Sequence, residues 1–101
     1  MLTKKTFGLI GKNIDYSFSR SYFSKKFKKL QLSNCEYVNF DLKSIEELST
    51  INLNDVYGFN VTIPYKTDII KFLDKIDPEA EKIGAVNTIK INRRELIGFN
   101  T

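Results

Sequence analysis

Three short segments of this 101-residue chain carry more polar side chains than the packing of a small domain requires. The first is Ser17-Phe18-Ser19, which places two hydroxyl groups two residues apart, just after a predicted strand. In an open α/β sheet, ligands bind beyond the carboxyl ends of the strands, and N–H groups at a helix N-terminus favour an anion there. The segment therefore fits a carboxylate or another anion. The alternative is that one serine only caps the helix.

The second segment runs from Gly58 to Lys66 and places Asn60 and Thr62 on one face of a strand end. Pro64 fixes the turn that follows, so that the ammonium group of Lys66 can curl back over that face. A lysine that is partly desolvated and close to hydroxyl-bearing ligands can lose or donate a proton near neutral pH. A strand end with an ordinary surface lysine fits the same residues equally well.

The third segment is Gly84-Ala85-Val86-Asn87-Thr88, in which Asn87 lies at the start of an otherwise apolar strand. A buried amide needs hydrogen-bond partners. A polyol ligand can supply them, and so can the neighbouring backbone.

Composition excludes several other kinds of site. The chain has no histidine and a single cysteine, Cys35, so a zinc site, a Ser-His-Asp triad and an internal disulfide are not expected. It contains no G-x-G-x-x-G motif for a dinucleotide. We also expect no membrane span, since no apolar run approaches the roughly 20 residues that one needs. Without a secretory signal at the N-terminus, the predicted location is a reducing cytoplasm.

The net charge of +4 is unevenly distributed. Residues 1–30 hold eight basic residues and one acidic residue, whereas the remainder holds eight basic and eleven acidic residues. The basic cluster at 25–29 raises the alternative of a nucleic-acid-binding module. However, Phe23, Phe27 and Leu30 recur at helical spacing, which predicts that the lysines form the solvated face of an amphipathic helix. We therefore expect no nucleic-acid partner.

Alternating and helical patterns predict a three-layer α/β/α domain that spans residues 1–101. The sheet is expected to be mixed and mostly parallel, with five to six strands and one antiparallel strand near a C-terminal hairpin. A Ser44 cap, Pro64 and the Asp77-Pro78-Glu79 sequence are predicted to begin helices. The predicted strands are 7–10, 35–42, 56–63, 85–91 and 95–99, and the predicted helices are about 19–32, 44–50, 64–76 and 78–83.

The polar segments, taken in order, resemble the shikimate dehydrogenase family. The resemblance rests on Ser17-x-Ser19, Asn60-Val61-Thr62-Ile63-Pro64-Tyr65-Lys66, Gly84-Ala85-Val86-Asn87-Thr88 and Gly98-Phe99-Asn100-Thr101. It covers essentially the whole chain and implies the N-terminal substrate-binding domain of that family. The family reduces 3-dehydroshikimate to shikimate with NADPH, on the route to chorismate and the aromatic amino acids.

The resemblance also implies roles for individual residues. Lys66 matches the catalytic lysine, and Ser17 and Ser19 match the serines that bind the substrate carboxylate. The positions that hold the ring hydroxyls are matched by Asn60, Thr62 and Asn87. The NADP-binding domain is absent from these residues, so this chain alone is expected to be inactive.

Two departures from the family pattern stand out. Arg20 replaces the proline that usually follows the two serines, and Thr101 stops one residue short of the aspartate that partners the lysine. A dehydrogenase that also accepts quinate is the alternative within the family. The preference between NADP and NAD, and the choice between monomer and homodimer, are open at this point.

Overall fold

The computed structural model of the chain describes residues 4–14 and 19–101. Its centre is a six-stranded sheet, with the strands in the order β2-β1-β3-β5-β6-β4. The strands are β1 (Lys5–Gly11), β2 (Cys35–Asp41), β3 (Val56–Val61), β4 (Lys75–Ile76), β5 (Thr88–Asn92) and β6 (Glu95–Phe99). The helices are α1 (Ser19–Lys29) and α2 (Pro78–Ile83), with two 3₁₀ helices at Ile45–Thr50 and Asp68–Phe72.

The strand directions confirm the predicted mixed sheet. The pairs β1·β2, β1·β3 and β4·β6 are parallel, whereas β5 is antiparallel to both of its neighbours, β3 and β6. Within the described residues β5 is therefore the one strand that runs opposite to the rest. The predicted hairpin is also confirmed, since Asn92 pairs with Glu95 across a turn of Arg93 and Arg94. Both turn residues have positive φ, as a two-residue type I′ turn requires.

Helical segments cover both faces of the sheet. On one face, Phe23 and Phe27 of α1 pack against a small cluster of Leu9, Ile14 and Tyr37. The exposed lysines 25, 26, 28 and 29 lie on the rest of α1, as predicted. Leu30 follows the end of α1 and is exposed, so it does not continue the apolar face of the helix.

The opposite face carries the larger core. Alternate strand residues point into it, because successive side chains of a strand face opposite sides of the sheet. Residues from the two 3₁₀ helices and α2 close it from outside. Its buried members are Ile10, Leu42, Ile45, Leu48, Val56, Phe59, Val61, Tyr65, Ile69, Ala80, Val86 and Ile89. None of the helices in the described residues is long and apolar enough to cross a membrane.

The helix predicted for 64–76 is wrong. Pro64 lies in a turn after a cis Ile63–Pro64 bond, and only a 3₁₀ helix of five residues, Asp68–Phe72, forms. The chain then becomes extended at Leu73 and pairs with β6 as β4. Ile69, Leu73 and Ile76 still reach the core, although no single helix carries them. Hydrogen bonding to the edge of β6 therefore prevails over the helical spacing.

Two smaller expectations also need correction. Residues 45–50 form a 3₁₀ helix, and Ser44 makes no side-chain capping hydrogen bond to it. The first strand of the hairpin begins at Thr88 rather than at Ala85. In contrast, the predicted start of α2 is confirmed, because the Asp77 carboxylate accepts the Glu79 N–H at 3.1 Å and Pro78 is the first helical residue.

Two isoleucines test whether the 3₁₀ helix at Asp68–Phe72 belongs to the core. Ile69 is 0% exposed and Ile63 is 75% exposed. We expect Ile69→Ala to lower the free energy of unfolding by about 2–5 kcal/mol, since it leaves a cavity. Ile63→Ala should change it by less than about 0.5 kcal/mol. Urea unfolding followed by circular dichroism measures both, and equal effects of the two substitutions would contradict the assignment.

Candidate functional site

The reversed direction of β5 brings Asn87 to the same edge of the sheet as the predicted site residues Asn60, Thr62 and Lys66. The carboxyl ends of β1 and β3 lie at this edge, and so does the start of β5. Asn60 is central, since it pairs with Leu9 on one side and with Thr88 on the other. This edge is where ligands bind in open α/β sheets.

Backbone hydrogen bonds join the second and third polar segments directly. The Val61 N–H donates to the Asn87 carbonyl at 2.8 Å, and the Val86 N–H donates to the Lys66 carbonyl at 2.7 Å. The segment that carries Asn60 and Lys66 is therefore tied at two points to the segment that carries Asn87.

Lys66 follows a closed turn that is itself anchored to the core. The Tyr65 N–H donates to the Thr62 carbonyl at 3.0 Å, which closes a turn around Ile63 and Pro64. The buried Tyr65 then donates its hydroxyl to the Leu42 carbonyl. Lys66 is exposed beside this fixed point. None of the ion pairs in the described part of the chain involves it.

Thr62 lies where the end of β1 comes close to the turn around Ile63 and Pro64. Its N–H donates to the Ile10 carbonyl at 2.9 Å. A Cβ at Gly11 would lie only 2.6 Å from the Thr62 Cγ2 methyl and 2.7 Å from a methyl of Ile14. Only glycine leaves room for Thr62 to pack here, which explains why β1 ends in this residue type.

The Asn87 side chain binds the last described residues of the chain. Its Nδ2 donates to the Thr101 carbonyl at 3.0 Å, and its Oδ1 accepts the Thr101 N–H at 3.1 Å and the Thr88 hydroxyl at 2.9 Å. The amide thus meets its hydrogen-bonding needs largely on neighbouring backbone, the alternative noted from the sequence. One Nδ2 hydrogen is left over from this set, because an amide nitrogen has two donors.

The fourth motif, Gly98-Phe99-Asn100-Thr101, holds the third motif in place. Asn100 donates from Nδ2 to the Ala85 carbonyl at 3.1 Å, and the Asn87 N–H donates to the Phe99 carbonyl at 3.0 Å. At Gly98 an added Cβ would lie 2.4 Å from Leu73 Cδ1 and 3.0 Å from Val86 Cγ2. The third and fourth motifs therefore pack against each other and are joined by hydrogen bonds.

The structure describes the first polar segment only from Ser19 onwards. Ser17 lies outside the described residues. Ser19 is the first residue of α1, which follows β1 as the pattern predicted, but its side chain also lies outside the description. Asn60, Thr62, Lys66 and Asn87 are brought to one sheet edge, as the preceding bonds show.

Sequence reasoning missed the residues of β2 that support this edge. The Asp41 carboxylate accepts the N–H groups of Asn13 at 2.9 Å and Ile14 at 3.2 Å, so it holds the loop after β1. Asn39 adds a bond from Nδ2 to the Ile14 carbonyl at 3.1 Å. Tyr37 donates its hydroxyl to Asn60 Oδ1 at 2.9 Å. The one signal in the sequence was that Tyr37 and Asn39 fall on the strand face opposite Val38 and Phe40.

The donor and acceptor groups at this edge suit a hydroxyl-rich ligand. They consist of amides, a hydroxyl and one ammonium group, which together can donate to and accept from ring hydroxyls. Burial raises the pKa of Tyr37 to about 12, so its hydroxyl stays protonated at neutral pH. Within residues 4–14 and 19–101 there is no group of three or more histidine, cysteine, aspartate or glutamate side chains that could hold a metal ion.

Comparison with known proteins identifies relatives among the shikimate dehydrogenases. The chain is 45% identical over 103 residues to shikimate dehydrogenase (NADP(+)) of Chlorobaculum tepidum, an alignment that covers 98% of this chain and 35% of the relative. The crystal structure of shikimate dehydrogenase 1 from Peptoclostridium difficile is 40% identical, with a TM-score of 0.84 over 96% of this chain and 38% of that one.

A third relative was crystallised with ligands. Shikimate 5-dehydrogenase of Listeria monocytogenes, in complex with shikimate and NAD, is 35% identical with a TM-score of 0.83, over 94% of this chain and 34% of that one. The chain thus spans little more than a third of the length of the relatives it matches.

The sequence model of the shikimate dehydrogenase substrate binding domain matches residues 9–89. This range takes in the end of β1, all of β3, the turn before Lys66 and the Asn87 segment, which together build the sheet edge described above. The chain therefore belongs to the shikimate dehydrogenase substrate-binding domain family.

Proposed function

We propose that this chain is the substrate-binding part of a longer shikimate dehydrogenase, and that it binds shikimate and 3-dehydroshikimate at the edge formed by β1, β3 and β5. The observation that carries the proposal is the joining of the Asn60–Lys66 segment to Val86 and Asn87 by hydrogen bonds of 2.7 and 2.8 Å. Membership of the family supports the identity of the ligand.

The substrate offers a carboxylate and ring hydroxyls, and the proposed residues match each group. Ser19, the first residue of α1, and Ser17, two positions before it in the sequence, would hold the carboxylate. Asn60 and Thr62 would hold ring hydroxyls, since amides and hydroxyls both donate and accept. Asn87 would contribute its remaining Nδ2 hydrogen, while Thr101 keeps the amide fixed.

Lys66 is proposed to handle the proton at the carbonyl oxygen of 3-dehydroshikimate. When hydride adds to the ring carbon, negative charge develops on that oxygen, and a nearby ammonium group stabilises it and then protonates it. In the reverse direction the neutral amine would accept the hydroxyl proton. A reduced nicotinamide cofactor supplies the hydride when bound.

We propose NADP as this cofactor, because curated relatives are named as NADP(+) enzymes. The 101 residues contain no G-x-G-x-x-G motif, so another part of the longer protein would hold it.

A reducing cytoplasmic setting fits the single cysteine, Cys35, which has no second cysteine to pair with in these residues.

Titration of the ¹⁵N-labelled chain with shikimate tests the binding site. We expect saturable NMR shifts at the sheet edge, because the ligand hydroxyls replace water on its amides. Cyclohexanecarboxylate, which keeps the carboxylate and lacks the hydroxyls, serves as the control and should leave the Asn60 and Asn87 side-chain amides unshifted. Shifts confined to the lysines of α1 would contradict the proposal. The residues expected to respond are Ser17, Ser19, Asn60, Thr62, Lys66 and Asn87.

The role of Lys66 is tested in the full-length protein that carries this chain. Lys66→Ala should lower kcat by roughly 10²- to 10⁴-fold with a smaller change in KM, since the interaction strengthens as charge develops. Lys71→Ala is a matched control, because this exposed lysine pairs with Glu46 at 3.5 Å on the surface. Steady-state kinetics with shikimate measures both variants. An unchanged kcat for Lys66→Ala would remove this residue from the chemistry.

A further inference from the structure

The hydroxyl of Tyr37 makes a hydrogen bond that the sheet itself does not require. Tyr37 lies on β2 and Asn60 on β3, and β1 runs between these strands. The backbones of β2 and β3 are therefore two strand spacings apart, or about 10 Å. The Tyr37 side chain nevertheless reaches across β1 and donates to Asn60 Oδ1 at 2.9 Å. Strand pairing would be the same without this bond.

Packing holds Tyr37 in the conformation that makes the bond. Its ring is stacked on Phe23 of α1, with centroids 4.6 Å apart and an interplanar angle of 20°. The residue is only 5% exposed and packs with Leu9 and Ile14. A buried tyrosine hydroxyl needs a partner, and here the partner is an amide at the proposed substrate site. A tyrosine hydroxyl is already protonated at neutral pH, and burial raises the pKa of Tyr37 further, to about 12.

The bond determines which end of the Asn60 amide is free. An asparagine side chain has one acceptor oxygen and one donor nitrogen, and a rotation of 180° exchanges them at little steric cost. Because Tyr37 donates to Oδ1, the oxygen faces Tyr37 and the two Nδ2 hydrogens remain for other partners. Both residues line a cavity of about 360 Å³ on the α1 face of the sheet.

We propose that Tyr37 is a positioning residue of the substrate site, which holds the Asn60 amide so that its Nδ2 group donates to a hydroxyl of the substrate. The inference rests on the proposed function, because it assumes that Asn60 contacts shikimate. Tyr37 itself touches no substrate in this arrangement. Its effect on binding passes through Asn60 alone.

Tyr37→Phe is the direct test, since it keeps the stacked ring and removes only the hydroxyl. In the ¹⁵N-labelled chain we expect the Asn60 side-chain NH₂ resonances to move before any ligand is added. We also expect shikimate to bind about threefold to tenfold more weakly, the effect of one lost hydrogen bond. Tyr57→Phe is the matched control, because Tyr57 lines the same cavity, is 40% exposed and should affect neither readout.

A double-substitution cycle separates positioning from a general structural effect. In an Asn60→Ala background, Tyr37→Phe should no longer weaken binding, because the group that it positions is absent. If Tyr37→Phe weakens binding equally in both backgrounds, the proposal is overturned. If Tyr37→Phe does not fold, Asn60→Asp replaces it in the test. That variant keeps the acceptor for Tyr37, removes both Nδ2 donors and should weaken shikimate binding at least tenfold.

The outcomes distinguish this inference from the proposed function. Unmoved Asn60 NH₂ resonances in Tyr37→Phe would overturn the positioning role whatever the ligand. Normal shikimate binding by the unsubstituted chain and by Tyr37→Phe would overturn the inference and leave the substrate site standing. A lack of shikimate shifts at Asn60, Thr62 and Asn87 in the unsubstituted chain would overturn both proposals.

Discussion

β5 runs against both of its neighbours, and this reversal brings its start beside the ends of β3 and β6. A parallel β5 would place Asn87 and Thr88 at the opposite edge of the sheet, far from Asn60. Hydrogen bonds then fix the meeting point, since Val61 binds the Asn87 carbonyl and Asn87 binds the Phe99 carbonyl. The position of Lys66 depends on the same junction. Its carbonyl accepts the N–H of Val86, the residue that precedes Asn87.

Several residues that match family motifs serve first to hold the chain together. Asn87 binds the backbone of Thr101 through both ends of its amide, and Asn100 binds the Ala85 carbonyl. Gly98 leaves the space into which Leu73 and Val86 pack. A motif residue can therefore be a structural clamp and a ligand donor at once. For Asn87 the clamp leaves one N–H unused, so the clamp is compatible with the proposed contact to the substrate.

The two faces of the sheet differ in what they pack against. One carries the larger core, and the other carries α1 and the hydrogen bond from Tyr37 to Asn60. The larger core, with Ile10, Phe59 and Ile69 among its buried members, fixes the strands from one side. The α1 face is aromatic, and its stacked pair of Phe23 and Tyr37 reaches the site through the Asn60 amide. A helix that carries a solvated lysine surface thus also orients a donor at the sheet edge. The chemistry available there is one ammonium group among neutral donors and acceptors, which suits a carbonyl and hydroxyls.

The family, the mixed sheet with one reversed strand, and the motif residues Asn60, Thr62, Lys66 and Asn87 at one edge of that sheet all follow from the sequence alone. It also identified the buried faces, because burial follows from hydrophobic periodicity. Tertiary structure decided what periodicity leaves open. Ile69 lies in a 3₁₀ helix and Ile76 in a strand, because the chain becomes extended at Leu73 and residues Lys75 and Ile76 pair with the open edge of β6. Likewise, Tyr37 and Asn60 are 23 residues apart, and only the strand order brings a phenol to an amide across β1. The spacing of apolar residues along the chain indicates which neighbouring residues share a face, whereas contacts between distant segments depend on how the strands and helices pack.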